Sequence, residues 1–242
     1  MNHFRLSGFL TAALAIALLA VAAPAQETQP TTQPSAHDIP KMMPILASPE
    51  GQALIPDKIG SDYEMILNNW VPQLRSHCGA ATAVVVQNAL QPDQHHTQDG
   101  LFTDETAHII TQDVVYRIGF TIAELVEMIN VSSGLQTEGF HAGSGEGQHG
   151  YEEFLAVLRE NRENPENALL INYSTESVRG LGTGAGHWSP VAEYNEEADM
   201  VLMCEVNSNR STFWISSRDL YDAMDTVDKV CDLHRGWIVA IR

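Results

Sequence analysis

The stretch on which the fold turns is Gln73-Leu-Arg-Ser-His-Cys-Gly-Ala-Ala-Thr-Ala-Val-Val-Val-Gln-Asn-Ala-Leu90. Gly79 and Ala80 are small, and from Ala81 to Leu90 only Thr82, Gln87 and Asn88 are polar, which suits a buried helix with Cys78 at its start. The β-branched run Val84-Val85-Val86 leaves a strand as the competing reading. A cysteine at a helix N-terminus faces orphan N–H groups and the positive end of the helix dipole, and both favour thiolate over thiol. Those N–H groups, with the Gln73 side-chain amide five residues upstream, could receive the oxyanion formed when the thiolate attacks a carbonyl. The plainer alternative is a buried, inert cysteine.

Two later segments weigh against inertness. Gly182-Thr-Gly-Ala-Gly-His-Trp-Ser-Pro-Val-Ala-Glu-Tyr194 leads through glycines to His187 and on into an apolar run, and Met200-Val-Leu-Met-Cys-Glu-Val206 reads as a strand carrying Glu205. A cysteine nucleophile needs a base to share its proton, and the base needs a third group to fix its tautomer and ring plane. The polar, turn-like residues 194–199 would fold these two strands into a hairpin and bring His187 and Glu205 side by side.

In order and spacing these residues resemble the phytochelatin synthase family of papain-like cysteine transpeptidases. The likeness runs from about Asn69 to Arg242. It is carried by Gln73 with Cys78-Gly79 and the Val-Val-Val-Gln-Asn-Ala-Leu that follows, by Leu101-Phe-Thr-Asp-Glu, by Gly184-Ala-Gly-His187-Trp-Ser-Pro-Val, and by Glu196-Glu-Ala-Asp-Met-Val-Leu-Met. The resemblance implies Cys78 as nucleophile, His187 as general base and Gln73 as oxyanion-hole amide. The family's third member is an aspartate eighteen residues after the histidine, where this chain has Glu205. Gln73 is one residue nearer the cysteine than is usual. The family's Arg-Phe-Lys-Tyr-Pro stretch is replaced here by Asn207-Ser-Asn-Arg-Ser-Thr, leaving Arg210 as a substitute substrate-carboxylate anchor, with Gly186 beside the histidine as a further substrate-binding position. The implied reaction is acyl transfer: release of glycine from glutathione, or from its metal complex, through a γ-glutamylcysteinyl thioester on Cys78, with hydrolysis favoured over phytochelatin synthesis. No cofactor is implied; heavy-metal ions would arrive on the substrate's thiolate, no residue is expected to ligate a metal, and a homodimer is admitted.

Residues 1–25 hold His3 and Arg5, an apolar run and Ala23-Pro-Ala25, the pattern of a secretory signal cleaved near Ala25, which would send the protein to a periplasmic or extracellular compartment. An uncleaved anchor is the alternative, against which the apolar run is short of the ~20 residues needed to span a bilayer. Residues 26–40 are rich in Gln, Thr, Pro and Ser and read as a flexible linker. Residues 41–242 make one catalytic domain. The formal charge of −18 argues against nucleic acid and anionic membrane surfaces as partners.

Further along, 48–54 and 63–69 read as short helices, 104–117 and 121–131 as amphipathic helices, the latter opened by a capping box of Thr121 and Glu124. His95 and His96 lie in a polar stretch better explained as an exposed loop than as a metal site. Residues 135–141 read as a strand, 142–150 as a glycine-rich loop, 151–161 as a helix and 168–173 as a buried strand. Strands at 186–194, 200–206, 213–215 and 236–241, with a helix at 217–227, complete an α+β plan: a helical lobe, an antiparallel sheet lobe and a cleft between them. The resemblance makes that plan papain-like, with cysteine on one lobe and histidine on the other. Cys204 and Cys231 could pair in an oxidising compartment or stay separate thiols. The sequence ends at Arg242 without the cysteine-rich extension of plant members and so resembles the short bacterial form. Two other functions fit the same compartment: a cell-envelope cysteine hydrolase cutting γ-glutamyl bonds of peptidoglycan, and a non-catalytic metal- or thiol-binding module.

Overall fold

Strand Asn167–Ser174 (β3) is buried along its whole length, which requires both faces of its sheet to be covered. It lies within a seven-stranded sheet of order β2-β1-β9-β3-β4-β5-β6. The other members are Gln136–Ala142 (β1), Gln148–His149 (β2), Gly186–Asn195 (β4), Met200–Met203 (β5), Phe213–Ser216 (β6) and Gly236–Ile241 (β9). The structure, a computed structural model, describes residues 43–182 and 184–242, so the expected leader and linker lie outside the described residues. Every strand pair of the sheet is antiparallel except β1 with β2.

On one face lies the helix Cys78–Leu90 (α3), whose residues are almost all buried. Its thirteen residues settle the helix-or-strand question, and the small side chains Ala80, Ala81 and Ala83 let it press against Ala168, Leu170 and Trp188 in one core. Asp62–Asn68 (α2) and Ile122–Ser133 (α5) join that layer. The α5 capping box forms as its sequence promises: Thr121 Oγ1 accepts from the Glu124 N–H, and the Glu124 carboxylate accepts from the Thr121 N–H at 2.8 Å. Strand alternation sends Leu169, Ile171 and Tyr173 to the other face, where Tyr151–Glu163 (α6) and Ser217–Met224 (α8) cover them. The sheet therefore carries helices of its own besides those of the cysteine-bearing layer. The remaining short elements are Pro49–Gln52 (α1), Gln112–Ile118 (α4), Thr175–Val178 (α7) and a hairpin of Val227–Asp228 (β7) with Leu233–His234 (β8).

Three local expectations change. The amphipathic helix expected over 104–117 forms only as α4, because Thr106 Oγ1 donates to the Leu101 carbonyl and accepts from the Thr103 N–H, holding 101–106 in turns. The strand expected to carry Glu205 stops at Met203: beyond it Cys204 N–H still donates to Pro190 O, but Glu205 N–H turns to the Thr212 hydroxyl. The helix expected to reach residue 227 stops at Met224. Cys78, Cys204 and Cys231 are all free thiols.

Candidate active site

Cys78 occupies the first turn of α3, behind a loop tied down at several points. Gln73 N–H donates to Val206 O at 2.8 Å and the Trp70 indole donates to Glu205 O at 2.7 Å, stitching the loop to the end of β5. The buried Gln98 amide grips either side of Gln73, donating to Pro72 O and accepting from Leu74 N–H. Within the loop Arg75 adopts φ 52°, a left-handed conformation costing a non-glycine residue about 1–3 kcal/mol. Such strain persists only where the surroundings over-determine it.

His187 opens the buried part of β4, with β3 on one side and Glu205 on the other. Its Nε2 lies 2.7 Å from Glu205 Oε1, with both side chains almost fully buried. Cys78 and His187 interact closely enough to shift each other's pKa, and since Nε2 is taken by Glu205, Nδ1 is the nitrogen left to face the sulfur. Glu205 Oε1 also accepts from the Asn207 N–H at 2.7 Å, while Oε2 is buried without a partner. The extra methylene of glutamate thus still reaches the imidazole.

The electrostatics follow from these contacts. Burial pushes the Cys78 thiol up, but the hydrogen bond and charge of His187, with the N–H groups of Trp188 and Gly79, outweigh it and hold the thiol below its ordinary value. Burial likewise works against a charged His187, but its bonds to Cys78 and Glu205 and both negative charges raise it from 6.5 to about 9. The two shifts together favour a thiolate–imidazolium pair at neutral pH.

Cys78 opens onto a cleft of about 540 Å³ whose far wall holds Asn172, Gly186 and Arg235. Arg235 is 3 % exposed and makes no ion pair among the described residues; its outer nitrogens donate to Thr226, Val227 and Gly184, and its Nε is buried without a partner. Burial lowers its pKa, with Asp228, Cys231 and Glu176 acting against that. Asn172 Oδ1 is also unpartnered, and a Cβ on Gly186 would lie 3.2 Å from Arg235 Nε and 3.3 Å from Asn172 Oδ1. A side chain there would fill the space in front of both groups. Arg235 is set in place by Gly236, where a Cβ would meet Phe140 O at 1.9 Å, so only glycine lets β9 approach β1 at that point.

Of the residues marked in the sequence, Cys78, His187 and Glu205 come together, and Gly186 borders the cleft of Cys78. Gln73 Nε2 donates to Arg75 O at 2.9 Å, which leaves one amide hydrogen free. Arg210 does not share the cleft of Cys78; it lines a second one of about 430 Å³ with Arg179, Tyr173 and Glu205. Asn172 and Arg235 were not marked. Their neighbourhood depends on β9 pairing between β1 and β3, with Asn172 opposite Gly236, and no local signal announces that register. Among the described residues no three His, Cys, Asp or Glu side chains converge to hold a metal ion.

A cysteine at the head of a buried helix, coupled to a histidine on an antiparallel sheet that is in turn held by a carboxylate, is a papain-like arrangement. A family model described as phytochelatin synthase matches residues 35–237, and the chain belongs to that family. Glutathione γ-glutamylcysteinyltransferase 3 of Lotus japonicus is 25 % identical over 80 % of this chain and 41 % of its own length. Glutathione γ-glutamylcysteinyltransferase 2 of Arabidopsis thaliana is 26 % identical over 68 % of this chain and 36 % of its own length. The chain thus spans about two fifths or less of these relatives. Among solved structures, a C39-like peptidase from Bacillus anthracis has a TM-score of 0.49 at 9 % identity, covering 77 % of this chain and 98 % of its own. The peptidase domain of Streptococcus ComA has a TM-score of 0.45 at 13 % identity, covering 71 % of this chain and 96 % of its own.

Proposed function

We propose that the chain is a cysteine-dependent γ-glutamylcysteine transferase that releases glycine from glutathione, with water as the preferred acceptor. The observation that carries this reading is the grouping of Cys78, His187 and Glu205, with His187 hydrogen-bonded to Glu205 and electrostatically coupled to Cys78, at the edge of a cleft holding a buried guanidinium and an unpartnered amide oxygen. A γ-glutamyl group ends in an α-carboxylate and an α-ammonium. Arg235 offers donors to the first, and Asn172 Oδ1 and Asp228 offer acceptors to the second.

The Cys78 thiolate attacks the Cys–Gly carbonyl, and the charge that develops on oxygen is received by the N–H groups at the head of α3, with the free amide hydrogen of Gln73 as a further donor. Collapse breaks the C–N bond as His187 gives its proton to the departing glycine amine, leaving a γ-glutamylcysteinyl thioester. Water, deprotonated by His187, then releases γ-glutamylcysteine; a second glutathione in place of water gives phytochelatin. Heavy-metal ions enter as cargo on the substrate thiolate, no cofactor is needed, and residues 1–25 direct export to an oxidising compartment with cleavage near Ala25.

Incubation of the protein lacking residues 1–25 with glutathione, followed by mass spectrometry, should yield γ-glutamylcysteine and glycine in equal amounts and little phytochelatin. Unchanged glutathione beside cleaved muropeptides would instead make the chain a peptidoglycan hydrolase.

A further inference from the structure

The second cleft reaches Glu205 from the side of the sheet away from the helix of Cys78, and one aromatic ring stands between it and the base. Tyr173, 1 % exposed, is the cross-strand partner of His187 and meets its imidazole nearly perpendicularly, at 84° with ring centroids 5.6 Å apart. Its hydroxyl lies 3.4 Å from that of Ser189, two residues beyond His187 and so on the same face of β4. Tyr173 lines the second cleft together with Glu205, whose Oε2 already lacks a partner. Without that ring, the imidazole of His187, which does not itself line the second cleft, would be open to it and would lose the surface that fixes its plane.

We propose that Tyr173 is a positioning residue, whose ring holds the plane of His187 and separates its imidazole from the second cleft. This inference rests on the triad reading above. The hydroxyl takes no part in proton transfer: burial, then the charge of Glu205, hold it well above the ordinary tyrosine value, so it stays protonated. The charged groups facing His187 are Cys78 from α3 and Glu205 from beyond β5, with Arg210 reaching Tyr173 from the loop before β6. All of these remain in a Tyr173 variant, so a change in the behaviour of His187 reports the ring itself.

The test compares Tyr173→Leu and Tyr173→Phe by two measurements. The first is the pH dependence of Cys78 alkylation by iodoacetamide, which needs no substrate and stands whether or not glutathione is cleaved. The second is kcat and KM for glycine release. For Tyr173→Leu the alkylation midpoint should rise by about one unit toward that of an ordinary thiol, because a mobile, hydrated imidazolium holds the thiolate less well. Its kcat should fall on the order of tenfold to a hundredfold, as misplaced catalytic groups do. KM should stay within about twofold, since Tyr173 is not part of the wall of the Cys78 cleft. Tyr173→Phe, which keeps the ring, should restore both the midpoint and the rate. A leucine variant with the wild-type alkylation profile would overturn the proposal. So would a phenylalanine variant as impaired as leucine, which would assign the effect to the hydroxyl. Should the leucine protein not fold by circular dichroism, Tyr173→Met, which fills more of the space, is read by the same criteria.

Discussion

Cys78→Ala should lower glycine release from glutathione at least about a thousandfold while leaving the circular dichroism spectrum and thermal midpoint close to wild type. The size of the effect follows from chemistry: a methyl group offers no lone pair to the carbonyl, and the remaining groups only bind and polarise the substrate. The intact fold follows from packing. Cys78 is half-buried at the end of α3, and the helix is held by residues further along it, Ala80 to Leu90, in the core. Cys78→Ser should be almost as inactive, because a serine hydroxyl is not deprotonated by an imidazole tuned to hold a thiolate. Purified Cys78→Ala protein that still turns over would remove Cys78 from the mechanism.

Glu205→Gln should cost about a hundredfold or more in kcat, with a smaller change in KM. The amide preserves size and can still accept from His187 Nε2, but it removes the buried negative charge that helps raise His187 to about 9. The sign is fixed by the direction of that shift. A base raised from 6.5 to about 9 is imidazolium throughout neutral pH, and its contribution to stability is complete below about 6.5 and lost as pH rises through about 9. In Glu205→Gln the alkaline limb of kcat against pH should therefore move down toward 6.5. Glu205→Asp keeps the charge and draws it back by one methylene, so it should retain activity within about tenfold. A glutamine variant with wild-type rate and pH profile would make Glu205 an ordinary buried acid.

How much of this was legible in the chain depends on whether a feature is local. The helix at Cys78 was, because small and apolar residues run from Gly79 to Val86 with only Thr82 between them. So were the capping box of Thr121 and Glu124 and the strand Gly236–Ile241, whose pattern and boundaries are contained in their own residues. The meeting of His187 with Glu205 was legible because their spacing resembles a family and because a hairpin is the simplest way to join 187 to 205. The threonine-rich run after Leu101 misled, since its hydrophobic period is helical while Thr106 spends its hydroxyl on the backbone. Arg235, Asn172 and Tyr173 were silent for a different reason. Asn172 and Tyr173 acquire their meaning from strand partners outside their own segment, Gly236 and His187, and Arg235 from standing next to Gly236 at the start of β9. Arg210 was placed by the resemblance, as the arginine of the segment that replaces the family's Arg-Phe-Lys-Tyr-Pro stretch, but the chain turns at Asn207, where Arg210 N–H donates to Asn207 O, and carries it to the second cleft.

The central claim is the covalent intermediate, and rapid acid quench of wild-type protein turning over excess glutathione tests it most directly. Mass spectrometry of the peptide containing Cys78 should show an added γ-glutamylcysteine lacking glycine, and hydroxylamine should remove it, as it cleaves a thioester. Glutathione can also cap a reactive cysteine as a mixed disulfide, which retains glycine and is released by dithiothreitol. Only that glycine-containing, dithiothreitol-sensitive adduct, with no glycine set free, would contradict the account and leave Cys78 as a redox-active thiol.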